Sequence, residues 1–182
     1  MMGAPRKISP RIIALSGMLA AVAMVFLYAA GMIPSGWIGV TAVAGLVVAV
    51  AVSSAGYLCG ALTYLVAGIL SLLLAPAKHV AVFFLLLFGL YPLLKIRFEK
   101  IKHRVLEYVL KLCFFNVMFL ALLFISYGTL FQGNWVETVW SIPYPVIALA
   151  GSAIFLLYDL AFTKVMGILQ VRLIPELRRR FS

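Results

Sequence analysis

The chain has 182 residues, of which 65% are apolar and 11% charged, with a mean hydropathy of +1.16. One soluble core of that length cannot hide so much apolar surface, so the composition points to an all-α polytopic membrane protein, a single bundle over residues 1–182. The formal charge of +10 is concentrated at the two ends and in one interior segment, where membrane topology signals belong, and so does not indicate nucleic-acid binding.

The opening MMGAPRKISPR precedes an apolar run over about 12–33. That run is too long for the roughly 7–15-residue apolar region of a signal peptide, so a retained first span is expected. It stops at Pro34-Ser35-Gly36, and Trp37 follows as an interfacial anchor. Further spans are expected at about 38–52, closed by Ser53-Ser54-Ala55-Gly56, and at about 57–75, ended by Pro76. The fourth, about 80–94, is short for the roughly 20 residues of a perpendicular crossing. It contains Gly89 and Pro92, which predict a break or tilt near its end.

Residues 95–107 then form a basic segment. Lys95, Arg97, Lys100, Lys102, Arg104 and, just beyond, Lys111 are six of the fifteen Lys and Arg residues. At helical spacing Phe98, Ile101, Val105, Tyr108 and Leu112 share one face, and Lys100, Arg104, Glu107 and Lys111 another. Such a helix would lie on the membrane among anionic lipid head groups; the plainer reading is a positive-inside loop. Glu107 precedes Lys111 by one turn, the favourable order for an ion pair. A fifth span is expected at about 108–131, an aromatic-rich loop at 132–144, and a sixth span at about 145–169. Six spans put both termini on one side with nearly all the cations, so by the positive-inside rule the N- and C-termini are expected in the cytoplasm.

Catalytic motifs are missing. The carboxylates are Glu99, Glu107, Glu137, Asp159 and Glu176, and the histidines His79 and His103, with no spacing that suits a metal, a nucleophile or a bound nucleotide. Neither an enzyme nor a cofactor is expected. Cys59 and Cys113 lie in apolar runs without CxxC spacing and read as packing residues. The informative residues are polar groups inside spans, which need a cavity or a partner. Asp159 and Asn116 fall at similar depth and can face each other. Asp159 is either a structural partner of Asn116, Lys111 or Lys164 that joins spans five and six, or part of a ligand path. Lys111 and Lys164 are expected to reach the surface. Trp37, Tyr127, Asn134, Trp135, Glu137, Trp140 and Tyr144 offer ring faces and polar tips for a ligand; the alternative is an aromatic belt at head-group level. Ser16, Gly17, Ala20 and Ala21 make two overlapping small-xxx-small pairs, a flat face for another helix.

Six spans in a short chain, cytoplasmic termini and the small-residue face resemble the substrate-binding S component of energy-coupling-factor (ECF) vitamin transporters. The runs Ser16-Gly-Met-Leu-Ala-Ala21, Leu70-Ser-Leu-Leu-Leu-Ala-Pro76 and Phe88-Gly-Leu-Tyr-Pro-Leu-Leu-Lys95 also look like bacterial membrane proteins grouped with those S components. The resemblance implies a subunit of the bacterial cytoplasmic membrane that binds a vitamin-like solute in its outward half. It implies docking, through Ser16, Gly17, Ala20 and Ala21, on a transmembrane T subunit carrying two cytoplasmic ABC ATPases. The solute would meet Trp37, Tyr127, Asn134, Trp135 and Glu137, with Asn116 and Asp159 deeper. No substrate signature of the riboflavin, thiamine, biotin, folate or cobalt members is matched. The competing expectation is a cell-envelope scaffold similar to the MreD type of rod-shape membrane protein, which shares a six-span plan.

Overall fold

The computed structural model describes residues 9–98, 104–125 and 144–172. Among these residues all regular structure is helical: α1 (Pro10–Met32), α2 (Trp37–Ala55), α3 (Tyr57–Leu74), α4 (Lys78–Phe98), α5 (Arg104–Ile125) and α6 (Tyr144–Arg172). Each contains a stretch long and apolar enough to cross a membrane. The outward faces are as apolar as the inward ones, with Leu73, Phe124 and Leu149 71%, 79% and 75% exposed. In lipid this carries no penalty, and helix association rests on close packing and polar contacts instead.

The helices α1, α2 and α3 form a block sealed by small residues, with Ala20, Ala23, Ala44 and Ala67 fully buried. The chain reverses tightly between α2 and α3, where Gly56 alone, at φ +91°, separates the two helices. Only glycine takes that conformation without strain. The expected turn at 53–56 is therefore shorter: Ser53 and Ser54 stay helical, and the Ser54 hydroxyl donates back to the Ala51 carbonyl at 3.2 Å. At the end of α3 the Lys78 ammonium donates to the carbonyls of Leu72 (2.8 Å) and Leu73 (3.2 Å), which have no partner within the helix.

The helix α4 joins this block to the other half of the molecule. Val80, Phe84 and Leu93 pack into the small-residue core, while Leu87 and Tyr91 enter an aromatic cluster with Phe114 and Phe115 of α5 and Phe155 of α6. The span expected at 80–94 runs from Lys78 to Phe98, so Lys95 and Arg97 belong to the helix rather than to a surface segment. The irregularity expected near the end of the span lies instead in its middle, as a π turn over Phe84–Phe88 closed by the Gly89 N–H donating to the Phe84 carbonyl at 2.7 Å, while the helix runs on regularly through Pro92. The turn lies just ahead of Pro92, which has no N–H for the Phe88 carbonyl and whose ring needs room there. That carbonyl faces α2 at Gly45, where a Cβ would stand 2.5 Å from its oxygen.

The helix α5 starts at Arg104 rather than near 108, and α6 extends beyond 145–169 at both ends. The two are antiparallel, since Lys111 meets Asp159 and Asn116 meets Ser152. The helices α4 and α6 are parallel, with Phe88 beside Tyr158 and Lys95 beside Thr163. Of the basic segment read as a surface helix, 95–98 instead end α4 and 104–107 open α5, while 99–103 lie outside the described residues.

The α2–α4 approach is directly testable. Gly45→Ala should lower the melting temperature of the detergent-solubilised protein, at a cost of about 1–3 kcal/mol for overpacking. Gly17→Ala, with nothing within 4 Å of the added carbon, should be neutral or stabilise by up to about 1 kcal/mol through helix propensity. Equal melting temperatures for the two variants would show that the fold does not rely on this contact.

Candidate functional site

A buried cluster of charges ties α4, α5 and α6 together. Asp159, near the middle of α6, is 4% exposed, a position that a lone carboxylate would make costly. Lys95 of α4 forms a salt bridge to its Oδ1, and the Tyr91 hydroxyl donates to the same oxygen. Lys111 of α5 reaches Oδ2 at 3.1 Å and pairs with Glu107 at 2.6 Å, one turn before it. The Lys95 ammonium also donates to Thr163 Oγ1 at 2.8 Å, and that hydroxyl donates to the Asp159 backbone carbonyl at 2.7 Å. Two lysines thus face two carboxylates, and this quartet is neutral. Aromatic faces complete the lysine surroundings: Lys95 stands 5.4 Å from the Phe162 ring centre and Lys111 5.6 Å from that of Tyr108.

Beyond Tyr91 the bundle opens into a cavity of about 300 Å³ bounded by α2, α4, α5 and α6. Among the described residues its wall carries seven aromatic rings and no charged side chain. Phe115 and Phe155 stack at 4.8 Å and 22°, and Phe88 meets Tyr158 edge-on at 5.3 Å. Gly151 permits this packing, since a Cβ there would lie 3.2 Å from the Phe115 ring. The π turn also borders the cavity, through Leu87 and Phe88, with Phe83 and Tyr91 flanking it. The hydroxyl of Tyr158, another wall residue, is buried without a hydrogen-bond partner. A second cleft of about 270 Å³ lies toward the Lys95 end, between α2, α4 and α6.

The sequence-derived candidates divide among three places. Trp37 stands at the end of the bundle remote from the charge cluster, in edge contact with His79 (4.8 Å) and Phe83 (4.9 Å), and lines a groove of about 520 Å³. That groove shares Ile38 and Phe83 with the aromatic cavity. Asn116 does not face Asp159; its amide donates to the Leu112 carbonyl (2.9 Å) and to Ser152 (3.2 Å), because it lies one residue, about 100° of helix rotation, past the Lys111–Phe115 face. Lys111 does not reach the surface but is 3% exposed, held by its two carboxylates. Tyr127, Asn134, Trp135 and Glu137 lie outside the described residues, as does Trp140.

On α1 the two small-residue pairs separate. Ser16 and Ala20 are buried inside the fold: Ser16 Oγ donates to the Ile12 carbonyl at 2.7 Å and lies 3.2 Å from Cys59 Sγ, while Thr63 donates to the Ser16 carbonyl at 3.4 Å. Their close-approach surface is therefore occupied by α3. Gly17 and Ala21 face outward. Cys59 is buried, in keeping with a packing role, whereas Cys113 is exposed.

Lys95, Tyr91 and Tyr158 were not among the sequence candidates. One signal pointed to Lys95: a fourth span ended at residue 94 is too short, and its missing turn contains this lysine. Among the described residues, no group of three His, Cys, Asp or Glu side chains is placed to hold a metal. Compared with known proteins, the chain matches no family model, no curated protein and no solved structure.

Removing one member of the quartet leaves the others uncompensated. Asp159→Asn should destabilise the protein by about 3–5 kcal/mol, the usual cost of breaking a buried ion pair. Asp159→Leu combined with Lys95→Met should recover part of that loss, giving a positive coupling in a double-mutant cycle. The measurement is unfolding in mixed detergent micelles followed by tyrosine and tryptophan fluorescence; additive losses would show that the pair is not coupled.

Proposed function

We propose that this chain is the membrane-embedded solute-binding subunit of an ECF-type importer in the bacterial cytoplasmic membrane. The observation that carries the reading is the aromatic cavity, bounded by α2, α4, α5 and α6 and braced from one end by the Asp159 cluster. A cavity of this size falls at the lower end of the range for small-molecule sites, and its rings suit a flat or branched apolar body. The importer part of the reading is supported by the sequence resemblance alone. In this arrangement both termini are cytoplasmic, the Trp37 end faces outward, and a solute approaches past Trp37 and His79. The Asp159 cluster then closes the inward side of the cavity. The outward-facing Gly17 and Ala21 supply a docking face for a T subunit with two ABC ATPases, and the cations of the basic segment meet anionic lipids. Energy for transport comes from those partners.

Purification of the tagged chain from its native cells in mild detergent, with mass spectrometry of proteins and small molecules, tests this directly. A T-type membrane subunit with two ATPases is the expected recovery, weakened by Gly17→Leu or Ala21→Leu. Recovery of cell-wall assembly proteins without an ATPase would instead establish the scaffold reading.

A further inference from the structure

We propose that the cleft at the Lys95 end is a water-filled vestibule that hydrates the buried ion cluster from that side alone. The contact of Tyr91 with Asp159 forms its inner wall, and the aromatic cavity beyond stays dry. The inference goes beyond the proposed function and depends on neither its solute nor its partners.

Three observations carry it. First, the cleft is polar where the cavity is not. Ser53 of α2, Lys95 of α4 and Thr163 of α6 line its volume of about 270 Å³. At about 30 Å³ per molecule in the liquid, that is room for several waters, and three polar side chains supply the roughly two to four partners that a held water needs. Second, the cleft reaches the end of the bundle. Ser53 stands two residues before the end of α2 at Ala55, about 3 Å along the helix axis. On α6, Gly167 leaves the wall open, with nothing within 4 Å of an added Cβ. At the deep extreme Lys95 and Thr163 meet Asp159 itself.

Third, the groups at the floor call for water. Charges withdrawn from water carry a desolvation penalty that pairing offsets only when further hydrogen bonds are made. Water along the cleft supplies them. The Tyr158 hydroxyl is buried without a hydrogen-bond partner among the described residues. Tyr158 packs on the group of Ala49, Phe162 and Met166, all three on the cleft wall, and its hydroxyl lies in the field of the Asp159 carboxylate. A buried hydroxyl nearly always finds a protein or water partner, so the innermost water belongs between this hydroxyl and the cluster. Beyond Tyr91 the cavity wall offers rings and no charged group, and apolar cavities of that kind stay dry. Water, and the protons it carries, therefore reaches the cluster from one compartment only.

Radiolytic hydroxyl-radical labelling of the full chain in lipid nanodiscs, read residue by residue by mass spectrometry, tests the water itself, because radicals form from water held against a side chain. Tyr158 and Phe162 should take up oxygen at least about threefold faster than Phe115 and Phe155, rings of the dry cavity. Equal rates for the two pairs would mean that acyl chains rather than water fill the cleft, and would overturn the inference. Sidedness is read separately, with a permanently charged methanethiosulfonate added to sealed vesicles of each orientation. Ser53→Cys and Gly167→Cys should be modified from the Lys95 side only, and Ala42→Cys, on the aromatic cavity, from neither side. Modification of the two cleft variants from both sides, or no faster than Ala42→Cys, would equally sink the vestibule.

Discussion

The Asp159 carboxylate sets the constraint that the second half of this molecule obeys. A charge near the middle of a membrane helix costs a few kcal/mol unless it is matched, and Asp159 is matched from two helices at once, by Lys95 of α4 and Lys111 of α5. Because each carboxylate oxygen has its own lysine, the axial register of α4, α5 and α6 is tied to one level. Apolar packing alone would not do this: in lipid, sliding one leucine-rich helix past another changes little. The ion cluster thus adds, for α5 and α6, a fixed register to the packing of Phe114, Phe115 and Phe155.

The first half is held differently. In α1, α2 and α3 the helices approach on alanine, glycine and serine, and the polar contacts are hydroxyls reaching carbonyls or a thiol, as between Ser16 and Cys59. The helix α4 serves both regimes along its whole length: Val80, Phe84 and Leu93 pack into the small-residue block, while Val82, Leu87 and Tyr91 enter the aromatic cluster and Lys95 reaches α6. Its π turn lines the cavity, so the irregularity that Pro92 calls for is also what shapes the candidate site.

The two ends of this half are organised differently. The Lys95 end of the α4–α5–α6 group is tied together by charge pairing, and α2 meets Phe162 and Met166 beside a cleft of about 270 Å³. Toward the other end α2 and α6 diverge, and large rings fill the space only in part, leaving the cavity. Tyr91 joins the two regions: its hydroxyl belongs to the ion cluster and its ring to the cavity wall.

Composition and run length by themselves determined the class: six apolar runs and little charge leave only helices able to satisfy the backbone in lipid. Gly36, Gly56 and Pro76 marked turns that the fold uses, and Gly89 with Pro92 marked the irregular helix. The Glu107–Lys111 pair was legible because it is local, one turn apart. Long-range partners were not. Lys95 looked like a surface residue because hydropathy treats every lysine as exposed, whereas a carboxylate 64 positions away makes its burial tolerable. Ser16 and Ala20 looked like a docking face because spacing reports a close-approach surface without saying which helix fills it; α3 does. Which apolar face meets protein and which meets lipid is invisible in a chain apolar on every side. Only the tertiary structure decided that, through the few polar contacts and glycine approaches that distinguish one packing from another.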